Sequence, residues 1–199
     1  MKIENLLKAS DLLDPIRNLF LLSGKKILSI EKNWKPENGT PVFTIRGKYT
    51  TRGWTEWTQG FQFGAAILQF EASENEQFLD IDKEKTVDLM ASHVSHIGVH
   101  DHGFNNVSTY GNLLRFMREG IIPNNEYERN FYELALKVSG AVQAARWTNL
   151  DSSGRGYIYS FNGPHSLFID TIRSLRSLCV AYKLGHALMG EHDEPISLL

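Results

Sequence analysis

One cysteine, Cys179, stands alone in 199 residues. That excludes an internal disulfide, and the expected role of Cys179 is a small buried side chain. The chain also lacks any uninterrupted apolar run of about 18 residues, so no transmembrane helix is expected. Its first stretch, MKIENLLKASDLLDPIRNLF, carries charge in every turn. It has neither the basic start and apolar run nor the small-residue cleavage site of a secretory signal. A reducing cytoplasm is therefore the expected compartment. Charge of one sign is scarce too: 21 basic against 23 acidic residues leave a formal net charge of −2. Such a balance gives no footprint for nucleic acid or for an anionic membrane. No strict internal repeat marks a solenoid.

What is present is enough for one core: 42% of residues are apolar and 22% charged, which suits a single domain over residues 1–199. Asp14-Pro15 reads as an N-cap and first helical residue, with Gly24 as a break or end. Residues 35–53 hold prolines and glycines around an alternating Val42-Phe43-Thr44-Ile45, a loop with at most a short hairpin near residues 40–50. Phe61, Ala65, Leu68 and Ala72 recur at helical spacing, and Phe63, Ile67 and Phe70 widen the stripe, so this helix is expected to be buried on most sides. Residues 74–97 form an amphipathic helix and 107–120 a shorter one with Gly120 as its C-cap. Residues 124–147 make a long helix, and 165–190 the last. The fold class is all-α, with about six or seven helices in antiparallel pairs. In an up-and-down array every second loop lies at one end. Three loops rich in aromatic and polar residues, over 39–54, 98–106 and 151–165, then share a face.

The middle loop is the unusual one. VHDHGFNNVSTYGN, residues 99–112, sets Asp101 between His100 and His102 with little that is aliphatic. His93, His96 and His100 share a helical side and invite a zinc reading. Gly98 is expected to end the helix between His96 and His100, which dissolves that ligand geometry. No metal and no cofactor is therefore expected, and His93 and His96 read as helix-end residues. Asp101 reads either as a cap or as a carboxylate held by His100 and His102. Asp170 is expected several residues into the last helix, with Arg173 and Ser174 on its side. Its plain alternative is a solvated salt bridge to Arg173. The apolar side of that helix is carried by Leu167, Phe168, Ile172, Leu175, Leu178 and Tyr182. Trp54, Trp57, Trp147, Tyr157, Tyr159 and Phe161 crowd the loop ends. Aromatic faces stack on sugar rings, and two separated acids can move protons at one. The candidate sugar contacts are Trp57, His100, Asn105, Trp147 and Phe161; the candidate acids are Asp101 and Asp170.

Three ordered segments carry a resemblance: WTQGFQFGAAILQFE, HDHGF, and GYIYSFNGP followed by FIDTIRSLRSL. Trp57, Thr58, Gly60, Phe61 and Gly64, then His100, Asp101, Gly103 and Phe104, then Asp170, resemble the motifs of glycoside hydrolase family 88, the unsaturated glucuronyl hydrolases. The unsaturated rhamnogalacturonyl hydrolases of family 105 are near relatives. The resemblance implies an (α/α)6 barrel, of which this chain would supply about half as an α/α toroid ending where a further helix is expected. It implies hydration of the C4=C5 double bond that polysaccharide lyases leave on a terminal uronic acid. Asp170 then resembles the general acid/base, Asp101 its partner carboxylate, and His100 and Trp57 sugar-contacting residues. Phe161 stands where the family usually has a Trp, so a rhamnogalacturonan, ulvan or glycosaminoglycan fragment all remain open as substrate. Donating a proton near neutral pH needs a raised carboxyl pKa, which burial and a second carboxylate would supply. Two other readings stay in view. One is a catalytically incomplete carbohydrate-binding or interaction fragment. The other is a toroid epimerase or lyase, for which His100 and His165 are the available pair. Self-association through exposed apolar helix faces is the further expectation about partners.

Overall fold

The computed structural model describes residues 7–51, 56–190 and 194–198; Trp54 lies outside them. The chain is all-α in its core, with short two-stranded hairpins at the margins. Helix α1 spans Leu13–Asn33. It begins two residues before Pro15, whose missing N–H costs nothing inside the first turn. Gly24 neither breaks nor ends it. Gly24 is buried, and a Cβ there would stand 3.2 Å from Gln69 Nε2 and from Phe78 Cζ. The glycine is a contact point, not a stop.

The expected hairpin is present: β1 (Phe43–Ile45) pairs antiparallel with β2 (Lys48–Thr50). Its turn, Arg46-Gly47, has positive φ at both residues, 49° and 75°, the backbone that matches strand twist in a two-residue loop. Helix α2 (Gln59–Ser73) joins α3 (Glu76–Leu89) through Glu74-Asn75 alone. Glu74 is left-handed and the Asn75 side chain caps α3 by accepting the Gln77 N–H at 3.0 Å. So tight a join turns the two packed helices back on each other.

Helix α2 is buried on most sides, as expected, but the stripe that faces the core is not the one through Phe61, Ala65, Leu68 and Ala72. Phe63, Ala66, Ile67 and Phe70 face the core, while Phe61 and Leu68 are exposed. Apolar residues occupy both faces, so periodicity alone could not choose between them. The amphipathic segment after α2 also breaks, at Met90, before a short α4 (Ala91–Val94).

The largest difference lies at residues 98–106. The stretch expected as loop is the centre of the molecule. Gly103–Gly111 form a π-helix that runs directly into α5 (Asn112–Glu119). It packs against α2, α3 and α4, and against three later helices: α6 (Glu126–Ala144), α7 (Thr171–Ser174) and α8 (Arg176–Lys183). Val107, Tyr110, Leu113 and Phe116 along it join Phe63, Ile67, Phe78, Tyr132 and Leu136 in one core. Its polar residues are buried because each has an internal partner. Asn106 donates to His93 O and Ser139 Oγ, both at 2.9 Å, and the Thr109 hydroxyl donates to Asn105 O at 2.8 Å.

Helix α6 stops at Ala144, short of Trp147, which instead opens β3 (Trp147–Asn149) against β4 (Gly156–Ile158). A third hairpin pairs β5 (Leu188–Met189) with β6 (Pro195–Ile196). The expected last helix over 165–190 shrinks to α7 and α8. Of its apolar side, Leu178 is buried, but Leu167, Phe168, Ile172 and Tyr182 are exposed. Cys179 is also exposed, contrary to the buried role expected of it. Among the described residues no helix is long and apolar enough to cross a membrane.

Candidate functional site

The three motif segments meet because their glycines let backbones touch. A Cβ on Gly60 would lie 2.3 Å from Asn105 Cα, and one on Gly64 would lie 2.8 Å from Ser108 O. One on Gly103 would lie 2.5 Å from Arg173 O. Contacts this short admit no side chain, so α2 and α7 both cross the π-helix at glycine. The Gly60 N–H donates to Asn105 Oδ1 at 2.8 Å, which fixes the Asn105 amide.

These crossings leave a cavity of about 220 Å³. Six of the seven candidate residues line it: Trp57, His100, Asp101, Asn105, Phe161 and Asp170. Trp57 enters from the turn before α2 and rests its ring 6.3 Å from Phe61 and from Phe104. Phe161 stacks on His100 at 6.4 Å with an interplanar angle of 10°, and on Phe168 at 4.9 Å. Trp147 does not reach this cavity. It is half-exposed on β3, donates its Nε1–H to Asn149 Oδ1 at 2.9 Å, and lines a separate apolar groove. Helix α6 would have had to run three residues further to carry it elsewhere. The groove, about 1000 Å³ and lined also by Tyr157, Leu167, Ile172 and Leu175, shares Phe168 with the cavity as a common wall.

His100 stands between the two acids. Its Nε2 is 3.3 Å from Asp170 Oδ1 and 3.7 Å from Asp101 Oδ1. The two oxygens therefore lie within about 7 Å of each other, below the upper limit of roughly 9.5 Å at which paired carboxylates act on one sugar. Neither His100 ring nitrogen makes an aligned hydrogen bond, nor does Asp170 Oδ1, although all three atoms are buried. Buried polar atoms without aligned partners are unusual and mark a site with unused bonding capacity.

The acids differ in setting. The Asp101 side chain is 11% exposed, and the Asp170 side chain is 44% exposed. Burial pushes the Asp101 carboxyl above its ordinary value; His100 opposes that shift, Asp170 adds to it, and His96 and Arg146 oppose it. A raised carboxyl pKa thus belongs to Asp101, the partner acid of the resemblance. Asp170 is not inside a helix. It occupies the N-cap position of α7, yet its side chain makes no capping hydrogen bond, so the carboxylate is not spent on the helix end. The proposed pairing with Arg173 does not form; its ion-pair partner is His100.

His102 does not hold Asp101. Its Nε2–H donates to His96 O at 2.8 Å, so Nδ1 is the acceptor and takes the Ser139 hydroxyl at 2.9 Å. Ser139 Oγ in turn accepts from Asn106. Burial lowers the His102 pKa to about 4, keeping the ring neutral. His93 is likewise structural, with Nε2 2.7 Å from Gln59 Oε1. His165 is exposed and absent from the cavity wall, so the expected pair of His100 and His165 does not face it; the histidine that lines it with His100 is His96. Among the described residues no cluster of His, Cys, Asp and Glu could hold a metal ion.

The sequence reading missed His96, Val99 and Phe168 in the cavity wall. His96 lies four residues before His100, and that spacing was the available signal. Phe168 was hidden by its assignment to a buried helix face. No family model, curated protein or solved structure matches the chain.

Proposed function

We propose that this cavity belongs to a glycoside hydrolase that acts on unsaturated uronyl oligosaccharides by hydrating the C4=C5 double bond. The observation that carries the reading is His100 Nε2, flanked by Asp101 and Asp170 at the wall of an aromatic pocket. A proton must add to C4, cationic character then develops at C5 beside the ring oxygen, and water adds there. The resulting hemiketal opens and releases the rest of the saccharide. Asp170, the more exposed acid, faces the substrate, delivers the proton to C4 and takes one from the attacking water. Asp101 stands behind it, and the His100 imidazole lies between the two carboxyl groups. The ring of Trp57, half-exposed, offers a stacking face to the sugar, and Phe161 closes the opposite wall. The chain forms part of an α/α toroid in this reading. It works in a reducing cytoplasm, which keeps exposed Cys179 a thiol. A second copy covers exposed apolar side chains such as Leu13, Ile16 and Leu19 of α1; a concentration-dependent sedimentation coefficient is the expected sign of it.

The test is incubation with unsaturated disaccharides released by several polysaccharide lyases, followed by ultraviolet absorbance of the double bond. The wild-type chain should bleach at least one of them. Asp170→Asn should lose roughly 10²- to 10⁴-fold of that rate, the span general acid–base groups contribute, with an unchanged circular dichroism spectrum. Saturable binding without bleaching would favour the catalytically incomplete, carbohydrate-binding reading. That reading draws on one observation, the wide exposure of Trp57 and Asp170.

A further inference from the structure

Arg146 follows the end of α6 and is 2% exposed. Among the described residues no carboxylate lies within ion-pair distance of it; its guanidinium is spent on three backbone carbonyls. Nη1 donates to Ile97 O at 2.5 Å, Nε donates to Tyr159 O at 3.2 Å, and Nη2 donates to Ser160 O. The guanidinium also lies over the Tyr159 ring, 4.2 Å from its centroid. These carbonyls belong to two segments that both line the cavity. Ile97 leads into His100 and Asp101; Tyr159 and Ser160 lead into Phe161. The second segment is itself tied to the second acid. Ser160 Oγ accepts the Phe168 N–H at 2.8 Å and lies 2.9 Å from Thr171 Oγ1, next to Asp170.

We infer that Arg146 is a positioning residue, which sets the spacing between His100 and Asp170 by clamping Ile97 to Tyr159 and Ser160. A planar fork with five N–H donors in fixed directions can hold three carbonyls from two segments at once. An ammonium group is a point charge on a flexible stem and does not fix their relative orientation. Burying an unpaired cation is costly, so its use here marks a geometric requirement. The role in catalysis rests on the hydrolase reading of the cavity; the clamp itself does not.

The experiment is a double-mutant comparison read at the imidazole nitrogens of His100 by nitrogen-15 spectroscopy, with the signals assigned by their loss in His100→Gln. In the otherwise wild-type chain Asp170→Asn should move the His100 signals. In the Arg146→Lys background the same substitution should move them less than about half as far, and Ser160→Ala should weaken the response too. Turnover is not needed for this readout. A weakened response in a chain that bleaches no unsaturated sugar supports the clamp and defeats the hydrolase reading. A full-sized response in folded Arg146→Lys and in Ser160→Ala, with only a lower melting temperature, overturns the clamp. So does a His100 signal that ignores Asp170→Asn in the wild-type background. Where Arg146→Lys does not fold, Ser160→Ala, which lacks only a hydroxyl, decides alone. If the chain is active, kcat should fall in both variants with KM little changed.

Discussion

Gly60 gives its backbone N–H to Oδ1 of Asn105 at 2.8 Å, and its Cα approaches so closely that an added Cβ would sit 2.3 Å from Asn105 Cα. The obstacle is backbone, not the tip of a movable side chain. Gly60→Ala must therefore push α2 off the π-helix and break that hydrogen bond. A loss of about 1–3 kcal/mol or more in urea unfolding is expected, the range for overpacked interiors. Because the same shift carries Trp57 and Asn105 apart, the sugar binding proposed for this cavity should weaken as well.

This contact explains why part of the site was legible in the sequence. Gly60, Gly64 and Gly103 stand in short motifs, and the physical demand behind each is one close backbone crossing. Those crossings bring Trp57, His100, Asp101, Asn105, Phe161 and Asp170 to one cavity. What stayed hidden needed partners distant in the chain. The polar run at 98–106 looks like a loop because its burial depends on Ser139 and the carbonyl groups of His93 and His96. The buried face of α2 could not be chosen while both faces were apolar. Trp147 was misplaced because helical pattern continues past Ala144, where the backbone turns to pair with β4.

The two neighbours of Asp101 act on it in opposite senses. His100 stabilises its ionised form and Asp170 destabilises it. His100→Gln should therefore raise the Asp101 titration midpoint, and Asp170→Asn should lower it. Carbon-13 spectra of the carboxyl groups measure both. No shift in either variant would mean that Asp101 senses burial alone.

Asp82 is wholly buried on α3, with the Thr86 hydroxyl donating to Oδ1 at 3.3 Å and Oδ2 unpartnered. Burial pushes its pKa well above the usual carboxylate range. The unfolded chain loses this proton first as pH rises from about 4, while the folded chain keeps it. Stability should fall with rising pH over that window, by up to about 1.4 kcal/mol per unit. Asp82→Asn should remove this slope and raise the urea midpoint at neutral pH. An unchanged slope would show that Asp82 ionises in the fold at little cost.

His102 tilts stability the other way. Its folded pKa, about 4, lies below its value of 6.5 in the unfolded chain. As pH falls through 6.5 the unfolded chain takes up the proton, and the folded chain refuses it until about 4. The neutral ring's contribution is thus complete above 6.5 and is lost on acidification, to a limit of about 3 kcal/mol by linkage. Protonation would force a donor onto Nδ1, where the Ser139 hydroxyl now points its hydrogen. Ser139 would have to reverse, yet its oxygen already accepts from Asn106, and Asn106 donates to His93 O as well. His102→Gln should remove the loss of urea midpoint on acidification from pH 6.5 to about 4, whereas Asp82→Asn should remove the opposing loss with rising pH that begins near 4. Because the two groups sit in different parts of the core, the double variant should lose both slopes, and a double variant that retains either one would trace that slope to another group.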